Sequence, residues 1–334
     1  MRISQEEVEG VLRAVLASLG FADADAEECA RLFAEANRDG VPSHGLNRFP
    51  RFVRSVRQGI VDPRARPVRL AASGVLERWD GARGPGNLNA RRSMARAVEL
   101  ARGGGVGCVS LGNTNHWMRA GAYGWQAAQA GVIGICWTNT MPNLPPWGAA
   151  EPRLGNNPIV LAVPREGGRH VVLDMAMSQF SFGALEGYRR RGEALPVPGG
   201  YDGEGRLTTD AGAIEASLRA LPIGYWKGSG LALLLDLIAS TLAGGGGTHQ
   251  VPPDPERETG LSQLFLAIDP TGVLGAGVAE QVADAILGHF RGPEGAAVRY
   301  PGERALRLRE ESRQAGIEVD PAVWRQVQQL ATSS

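Results

Sequence analysis

The sequence has 334 residues, of which 43% are apolar and 21% are charged, the usual proportions of a globular protein too long for a single hydrophobic core. Two or three lobes are therefore expected. Lys plus Arg and Asp plus Glu number 35 each without a long basic run, which argues against a surface for nucleic acid or for an anionic membrane.

The chain begins with a polar, acidic segment and two predicted helices. Residues 1–7 lack the apolar core of a signal peptide, and no run of about eighteen uncharged apolar residues suits a membrane span, so we expect a cytoplasmic protein. Ser4 and Glu7 have the spacing of a helix cap, and apolar residues recur after them at helical spacing. A second periodic stretch, 25–37, ends before Gly40.

The middle of the chain predicts a sheet with helices packed on it. Residues 60–86 are rich in Pro and Gly with short apolar runs, which is typical of strands and turns. Residues 89–102 repeat at helical spacing. Four apolar runs predict strands, the first two separated by a helix and the last two spaced as a hairpin. These strands cover 106–111, 132–138, 158–164 and 170–175, and the helix covers 118–130.

The last third of the chain alternates between polar and apolar segments. Residues 190–209 are rich in Gly, Pro and charge, which predicts a mobile surface segment. The apolar run 231–242 predicts a core helix, and 264–268 predicts a strand. Three predicted helices complete the chain, at about 276–290, 302–315 and 320–331.

A loop opened by Gly40 contains the first candidates for chemistry. His44 follows Ser43, and Arg48 lies four residues further on. An imidazole exchanges protons near neutral pH, and an arginine binds a carboxylate through two parallel hydrogen bonds. His44 is therefore a candidate acid or base, and Arg48 a candidate clamp for an acidic substrate. For such a histidine taken alone, the alternative is a structural role near a helix end.

A second candidate histidine, His116, comes just after a predicted strand. Polar residues at that position of an α/β fold commonly face a ligand. If this loop meets the His44 loop, two imidazoles and an arginine surround one small polar site. The alternative for His116 alone is a hydrogen bond to a backbone carbonyl. The remaining histidines, His170, His249 and His289, are interpreted as structural or exposed.

The dinucleotide-binding fingerprint of a Rossmann domain is missing. Residues 103–107 are glycine-rich but precede a strand instead of following one, and the glycines at 228 and 230 lack the third of the motif. Trp226 and Lys227 nevertheless open a predicted helix, where backbone N–H groups, the helix dipole and a cation favour an anion. Close helix packing beside a solvated lysine is an equal alternative.

Metal and hydrolase chemistry are disfavoured. The cysteines, Cys29, Cys108 and Cys136, are odd in number and widely spaced, as expected of buried reduced thiols. The sequence contains neither an H-E-x-x-H motif nor a carboxylate cluster. Ser43 and His44 alone do not predict a serine hydrolase, because chain neighbours rarely face each other as nucleophile and base, and no G-x-S-x-G elbow is present.

Four motifs together resemble one known family. They are SHGLNRFPRF at 43–52, NHWMR at 115–119, YGWQAA at 123–128 and GYWKGSG at 224–230. Through them the chain resembles the malate/L-lactate dehydrogenase type 2 family, from its first helix to Val323 and Trp324. The family includes ureidoglycolate, sulfolactate and piperideine-carboxylate oxidoreductases.

The resemblance implies an α/β (α+β) fold in which a mostly antiparallel mixed sheet flanked by helices binds NAD(P) without a Rossmann domain, and it implies a homodimer. It implies that His44 protonates the substrate oxygen as hydride arrives, that His116 is a second polar group or the acid/base instead, and that Ser43 and Arg48 bind substrate. The implied cofactor contacts are Val172, Leu173, Asp174, Met175, Ala176, Trp226, Lys227, Gly302, Glu303 and Arg304. NADH is expected as the reductant.

Two departures from the family pattern concern specificity. Residues 140–144 differ from the reductase pattern in a loop that follows a strand beside the site, which affects substrate choice. Gly302-Glu303-Arg304 replaces a Gly-His-Glu pattern, which affects one cofactor contact.

We therefore predict a helical domain formed by residues 1–60 with 295–334, and an NAD-binding and substrate region over 61–294. The predicted activity is reduction of a sugar-derived 2-keto acid without a metal. The alternatives are another 2-keto/2-hydroxy acid pair, such as that of malate, lactate or ureidoglycolate, and a non-catalytic protein that binds a small acid.

Overall fold

The computed structural model describes residues 1–275 and 277–332. Within those ranges no helix combines the length and the apolar character that crossing a membrane requires. The three cysteines are free thiols, and the described residues contain no group of three or more His, Cys, Asp or Glu side chains able to hold a metal.

Helices make up much of the described chain. They are α1 (Gln5–Ser18), α2 (Asp23–Arg38), α3 (Phe49–Arg57), α4 (Gly86–Gly104), α5 (Gly121–Gln129), α6 (Phe182–Arg191), α7 (Ala211–Ser217), α8 (Trp226–Ala243), α9 (Val278–Arg291), α10 (Glu303–Ala315) and α11 (Pro321–Thr332). At the start of α1 the Ser4 side chain accepts a hydrogen bond from the Glu7 N–H, as the sequence predicts.

The strands are β1 (Arg2–Ile3), β2 (Val68–Ser73), β3 (Leu76–Asp80), β4 (Val106–Asn115), β5 (Ile133–Thr138), β6 (Ile159–Val163), β7 (Val171–Met175), β8 (Gly200–Tyr201), β9 (Leu207–Thr208), β10 (Thr259–Ile268) and β11 (Ile317–Glu318). Seven of them form one sheet in the order β2-β3-β4-β10-β5-β6-β7. Only its β3–β4 pair is parallel. The predicted mostly antiparallel mixed sheet is therefore confirmed.

The sheet lies between two helical layers. On one face, α4 and α5 pack through Met94, Tyr123 and Phe265. On the other face, α8 packs through Ala232, Leu235 and Ala239. Strands β4 and β5 flank a helix, as predicted, but β10 lies between them and pairs with both in antiparallel orientation.

The two ends of the chain share a separate hydrophobic core. Strands β1 and β11 pair, and α1 packs against both α2 and α11. The core joins apolar residues of α1, α2, α3 and α11, among them Leu12, Phe33, Phe49 and Trp324. The domain boundaries at 60/61 and 294/295 stay a prediction.

Several local predictions need correction. The run 231–242 does form a helix, but only one face of α8 is buried, and Leu234 and Leu237 are more than half exposed. Helices α3, α6 and α7 were not predicted, because Pro, Gly and charged residues obscure their short apolar patterns. The predicted helix at 276–290 is α9, and residue 276 lies outside the described residues. The segment 190–209 contains the end of α6 and the β8–β9 hairpin.

Candidate active site

A cavity of about 870 Å³ lies where the terminal helices meet the sheet. Most of the predicted site residues line it, although they come from distant parts of the chain. These residues are Ser43, His44, Arg48, His116, Val172, Leu173, Asp174, Ala176, Gly302 and Arg304. The structure thus brings the two histidine loops together, as the sequence interpretation required.

His44 stands on a short 3-10 helix, Pro42–His44, that follows α2. The Ser43 Oγ lies 3.1 Å from His44 Nδ1. This contact corrects the expectation that these neighbours do not face each other, since the tight turn lets the short serine side chain reach the nearer ring nitrogen. The Ser43 hydroxyl therefore orients the imidazole, and the Nε2 side of the ring is left for a ligand.

His116 is held by the backbone that follows it. The Met118 N–H donates a hydrogen bond of 3.0 Å to His116 Nδ1, and Met118 adopts a left-handed φ of 61° to make it. Since Nδ1 accepts, a neutral His116 carries its proton on Nε2. His116 is thereby fixed as a hydrogen-bond donor.

The two imidazoles lie almost parallel, with ring centroids 5.7 Å apart and planes 20° apart. Burial, with Arg48 and Arg119 nearby, lowers the pKa of His44 to about 4. Burial and the charges of Arg48 and His44 lower the pKa of His116 well below its usual value. Both rings are therefore neutral at pH 7 in the absence of a ligand.

Arg48 lies at the start of α3, beside a carboxylate from a distant segment. Its Nη2 is 3.5 Å from Glu258 Oε2, a distance that leaves room for a better hydrogen-bond partner. Burial and Arg51 lower the pKa of Arg48 to about 10, against the opposing charge of Glu258. Arg48 remains a cation at neutral pH, so it can bind a substrate carboxylate.

A second group of charged residues, centred on Asp39, lies at another part of the cavity wall. Asp39 receives hydrogen bonds from Arg38, Arg119 and Arg309. Burial opposes the charge on Asp39, but the hydrogen bond from Arg309 and the surrounding guanidinium groups hold its pKa well below its usual range. Of this cluster, Asp39 and Arg119 line the cavity, and the buried Nε of Arg119 has no partner among the described residues.

The predicted cofactor segments meet at one edge of the sheet. The Val172 N–H of β7 donates to the Pro301 carbonyl at 3.0 Å, just before α10. Gly302 has a φ of 99°, and a Cβ there would lie 3.1 Å from Val172 N. Only glycine therefore fits this close approach at the uncapped N-terminus of α10.

Side chains in these segments differ in direction. Asp174 lines the cavity and accepts from the Gly121 N–H at 2.7 Å. Desolvation of its carboxylate raises its pKa, against the charge of Arg119 and the Gly121 hydrogen bond. Met175 packs beneath the sheet instead. Glu303 pairs with Arg291 and accepts from the Tyr300 N–H, whereas Arg304 lines the cavity without an ion pair among the described residues.

Trp226 and Lys227 do not line this cavity. They begin α8, as predicted. The residues just before α8 lie beside Met177, because the Ile223 N–H donates a hydrogen bond to the Met177 carbonyl. Trp226 is 65% exposed. Lys227 is the only lysine of the sequence, and the other 34 of its 35 Lys and Arg residues are arginines. This exception favours a specific role for an ammonium group at position 227.

Other cavity residues escaped the sequence interpretation. Asp39, Arg119, Asn156 and Glu258 line the cavity, but their partners lie up to 270 positions away in the chain. The sequence analysis placed Arg119 in the motif at 115–119 and residues 140–144 in a loop that affects substrate choice, but it gave Arg119 no role of its own. No pattern around Glu258 distinguishes it from a surface carboxylate.

Comparison with known proteins gives a consistent picture. The family model described as malate/L-lactate dehydrogenase matches residues 3–328. Two curated relatives are each named 2,3-diketo-L-gulonate reductase. The relative from Klebsiella pneumoniae is 45% identical and the one from Citrobacter koseri is 44% identical, each over 334 residues, which is 99% of this chain and 100% of the relative.

A solved structure, sulfolactate dehydrogenase from Methanocaldococcus jannaschii, superposes with a TM-score of 0.91 at 29% identity. The match covers 100% of this chain and 97% of that one.

Proposed function

The chain belongs to the malate/L-lactate dehydrogenase family and is an oxidoreductase, and on that basis we propose that it reduces 2,3-diketo-L-gulonate, a sugar-derived 2-keto acid, to 3-dehydro-L-gulonate. The name shared by relatives about 44% identical over their full length supports this substrate. The observation that carries the chemistry is the pair of closely stacked imidazoles beside a buried arginine in one cavity.

His44 is the proton donor in this proposal. When bound, the reduced nicotinamide supplies a hydride to the carbonyl carbon of the substrate. Negative charge then develops on the carbonyl oxygen. His44, protonated in the complex with the substrate anion, transfers a proton to that oxygen and becomes neutral, an effect of roughly 10²–10⁴-fold on the rate. Ser43 holds the His44 ring through Nδ1, so Nε2 is the nitrogen that gives up the proton.

His116 has a different role from His44. Its Nδ1 is occupied by the Met118 N–H, so its Nε2–H can donate a hydrogen bond to a substrate oxygen without changing protonation state. A neutral donor polarises the carbonyl before hydride arrives. The two histidines thus divide the work, with one moving a proton and the other stabilising charge.

Arg48 binds the substrate carboxylate. A substrate carboxylate that lies in the plane of the Arg48 guanidinium can accept two short, parallel hydrogen bonds. Glu258 makes only one longer contact with Arg48, at 3.5 Å. Two parallel hydrogen bonds fix the plane of the 2-keto acid, and so the face that the hydride reaches. The anion also offsets the charge of Arg48, which raises the pKa of His44 and favours its protonated form.

The residues at β7 and α10 suit a nicotinamide dinucleotide. The uncapped N-terminus of α10, the glycine at 302 and the unpartnered Nε of Arg119 favour the phosphates of such a cofactor. We propose that Val172, Leu173, Asp174, Ala176, Gly302 and Arg304, which line the cavity, hold it. Met175 and Glu303 contribute their backbone, and Trp226 and Lys227 contact a part of the cofactor that extends beyond the cavity.

NADH is the proposed reductant, and one observation favours NADPH as a second candidate. Arg304 lines the cavity without an acidic partner among the described residues, and an arginine beside the adenosine ribose accepts a 2′-phosphate. Rates with both cofactors, measured for the wild type and for Arg304→Ala, separate the two. Loss of NADPH use alone in the variant would identify Arg304 as a 2′-phosphate contact.

We also propose a cytoplasmic homodimer. The face of α8 that points away from the sheet carries exposed Leu231, Leu234, Leu237 and Ile238. A helix that is apolar on all sides is normally buried. A second copy of the chain supplies the cover for this face.

The assay follows NADH and NADPH absorbance with a panel of 2-keto acids that includes 2,3-diketo-L-gulonate. We expect turnover with the wild type and a loss of roughly 10²–10⁴-fold in kcat with His44→Gln, while calorimetric titration shows that cofactor affinity is kept. Near-normal turnover by His44→Gln would refute the assignment of the proton donor. Absence of turnover with every 2-keto acid would refute the reductase itself.

A further inference from the structure

A polar cluster next to Arg48 takes no part in the proton transfer or the carboxylate binding described above. We propose that Thr140, Asn143 and Asn156, together with Glu258, form a subsite for the hydroxyl groups of a sugar-acid tail. The subsite selects polyhydroxylated 2-keto acids over short or doubly charged ones. This inference rests on the proposed reductase function and names the residues that set its substrate class.

The hydrogen bonds of the cluster aim one amide at the cavity. Asn156 Oδ1 accepts from Thr140 Oγ1 at 3.0 Å and from Asn143 Nδ2 at 3.4 Å. The Asn156 N–H donates to Asn143 Oδ1 at 2.8 Å. Because Asn143 Nδ2 can only donate, its contact assigns the oxygen side of the Asn156 amide. The Asn156 Nδ2 then has no partner among the described residues. Since Asn156 lines the cavity, two N–H donors are available to a ligand hydroxyl.

The backbone around Asn156 is built to hold this arrangement. A Cβ at Gly155 would lie 2.4 Å from Thr140 Oγ1, so only glycine lets the two segments come this close. The buried Asn157 has a positive φ of 24°. Its Oδ1 accepts from the Thr140 N–H at 3.0 Å and its Nδ2 donates to the Ala232 carbonyl at 2.8 Å. Backbone strain retained in this way is characteristic of ligand sites.

Glu258 joins the cluster to the carboxylate clamp. Its Oε1 accepts from the Met141 N–H at 3.2 Å, and its Oε2 faces Arg48. The side chain is only 6% exposed, so its charge is poorly screened. A neutral hydroxyl can donate to this carboxylate, whereas a second carboxylate or a sulfonate on the substrate is repelled by it. The charge of Glu258 therefore disfavours dicarboxylic substrates such as oxaloacetate.

The test replaces single atoms of the cluster. Asn156→Asp keeps the oxygen that Thr140 and Asn143 need but removes both free N–H donors. The added charge repels any anionic substrate, so the informative quantity is a ratio. We expect the kcat/KM ratio of 2,3-diketo-L-gulonate to pyruvate to fall roughly tenfold, because pyruvate has no hydroxylated tail to lose a hydrogen bond. Measurable pyruvate reduction also demonstrates that the variant is folded.

Two further variants separate hydrogen bonding from charge. Asn47→Asp adds the same charge to the cavity wall outside the cluster, and we expect it to lower kcat/KM for both substrates alike, so that their ratio stays within about twofold of the wild-type value. Glu258→Gln keeps an acceptor for Met141 and removes the charge, so the kcat/KM ratio of oxaloacetate to pyruvate should rise roughly fivefold. Equal losses for both substrates in Asn156→Asp, or no loss in either, would overturn the subsite.

A binding measurement keeps this result distinct from the reductase proposal. The wild type and Asn156→Asp are titrated calorimetrically with L-gulonate and with L-lactate, which differ in the hydroxylated tail. Selective loss of L-gulonate affinity supports the subsite even if no 2-keto acid is reduced. Equal affinities of the two proteins for L-gulonate would refute the subsite while leaving the reductase intact.

Discussion

Individual residues of this site change their properties because of where the fold puts them. His44 is an ordinary histidine in sequence, but burial and two neighbouring guanidinium groups lower its pKa to about 4. The folded protein therefore keeps His44 neutral over the whole physiological range. This state suits the base that accepts a proton in the oxidation of a 2-hydroxy acid, and the substrate anion is needed to favour the acid form.

The shifted pKa of His44 predicts an unusual pH profile for the oxidation direction. Because kcat/KM reports the free enzyme, the rate with NAD⁺ and L-lactate should stay flat from pH 8 to about pH 5 and decline only as His44 becomes protonated near its pKa of about 4. Steady-state rates in a constant-ionic-strength buffer series provide the profile.

Two controls accompany the profile. Circular dichroism at each pH must show that the fold persists, and cofactor affinity must be constant across the series. An inflection near 6.5, the usual pKa of a histidine, would contradict the assignment of His44 as a buried base next to Arg48 and Arg119.

The sequence identifies the histidines and Arg48 because these residue types carry chemistry and lie within dense motifs. It does not identify Glu258 or Asn156, because nothing local marks them. The Met141–Glu258 hydrogen bond joins residues 117 positions apart, so only the tertiary fold brings the cluster to the cavity. The role of His116 also depends on a hydrogen bond from the Met118 N–H. Met118 adopts a left-handed φ, and a methionine in the sequence does not predict that conformation.

At the scale of elements, the N-terminus of α4 supports the segment that carries His116. A Cβ at Gly86 would lie 2.2 Å from the Asn115 carbonyl oxygen and 2.3 Å from the His116 carbonyl oxygen. Gly86→Ala must therefore push β4 and the helix apart. We expect a loss of about 1–3 kcal/mol in the free energy of unfolding, together with a clear loss of kcat because His116 moves.

A second glycine of the same packing interface provides the matched control. A Cβ at Gly107 would lie 2.0 Å from the Ala97 carbonyl oxygen, at the end of β4 remote from His116. Gly107→Ala should destabilise the protein to a similar degree in urea unfolding but leave kcat nearly unchanged. Equal kcat losses in the two variants would show that Gly86 acts through stability alone.

Long periodic elements were predictable, and short ones were not. Helices α1, α2, α4, α10 and α11 follow repeating apolar positions, and the β6–β7 hairpin follows its turn spacing. The insertion of β10 between β4 and β5 was not predictable, because β10 pairs with strands more than 120 positions earlier in the chain. Periodicity describes one element at a time and does not order strands within a sheet.

Among the described residues the single chain leaves apolar surface uncovered on α8, and also on α9 through Val282, Ile286 and Phe290. Sequence pattern alone predicts burial for the run 231–242, and the monomer buries only the side that meets the sheet. Leu234 is 54% exposed and Leu237 is 52% exposed. Asp236 of α8 accepts hydrogen bonds from Asn139 Nδ2 and from the Thr248 N–H. The other charge of α8, the exposed Lys227, lies in the first turn of the helix, several turns before Leu237. We therefore expect the same apolar run to form a subunit interface as well as part of the core.

Association through α8 makes a quantitative prediction. Light scattering coupled to size exclusion should give twice the chain mass of 35.4 kDa, and Leu234→Glu combined with Leu237→Lys should shift the protein toward a single chain, because a charge buried in an apolar interface is costly. Leu207→Glu, at an equally exposed leucine on the β8–β9 hairpin, should leave the mass unchanged. A wild type that elutes as one chain at tens of micromolar, or a Leu207 variant that dissociates as readily, would rule out α8 as the dimer contact. Trp226 and Lys227, the proposed cofactor contacts outside the cavity, begin the same helix. We therefore expect dissociation to weaken NADH binding, which titration of the same variants measures directly.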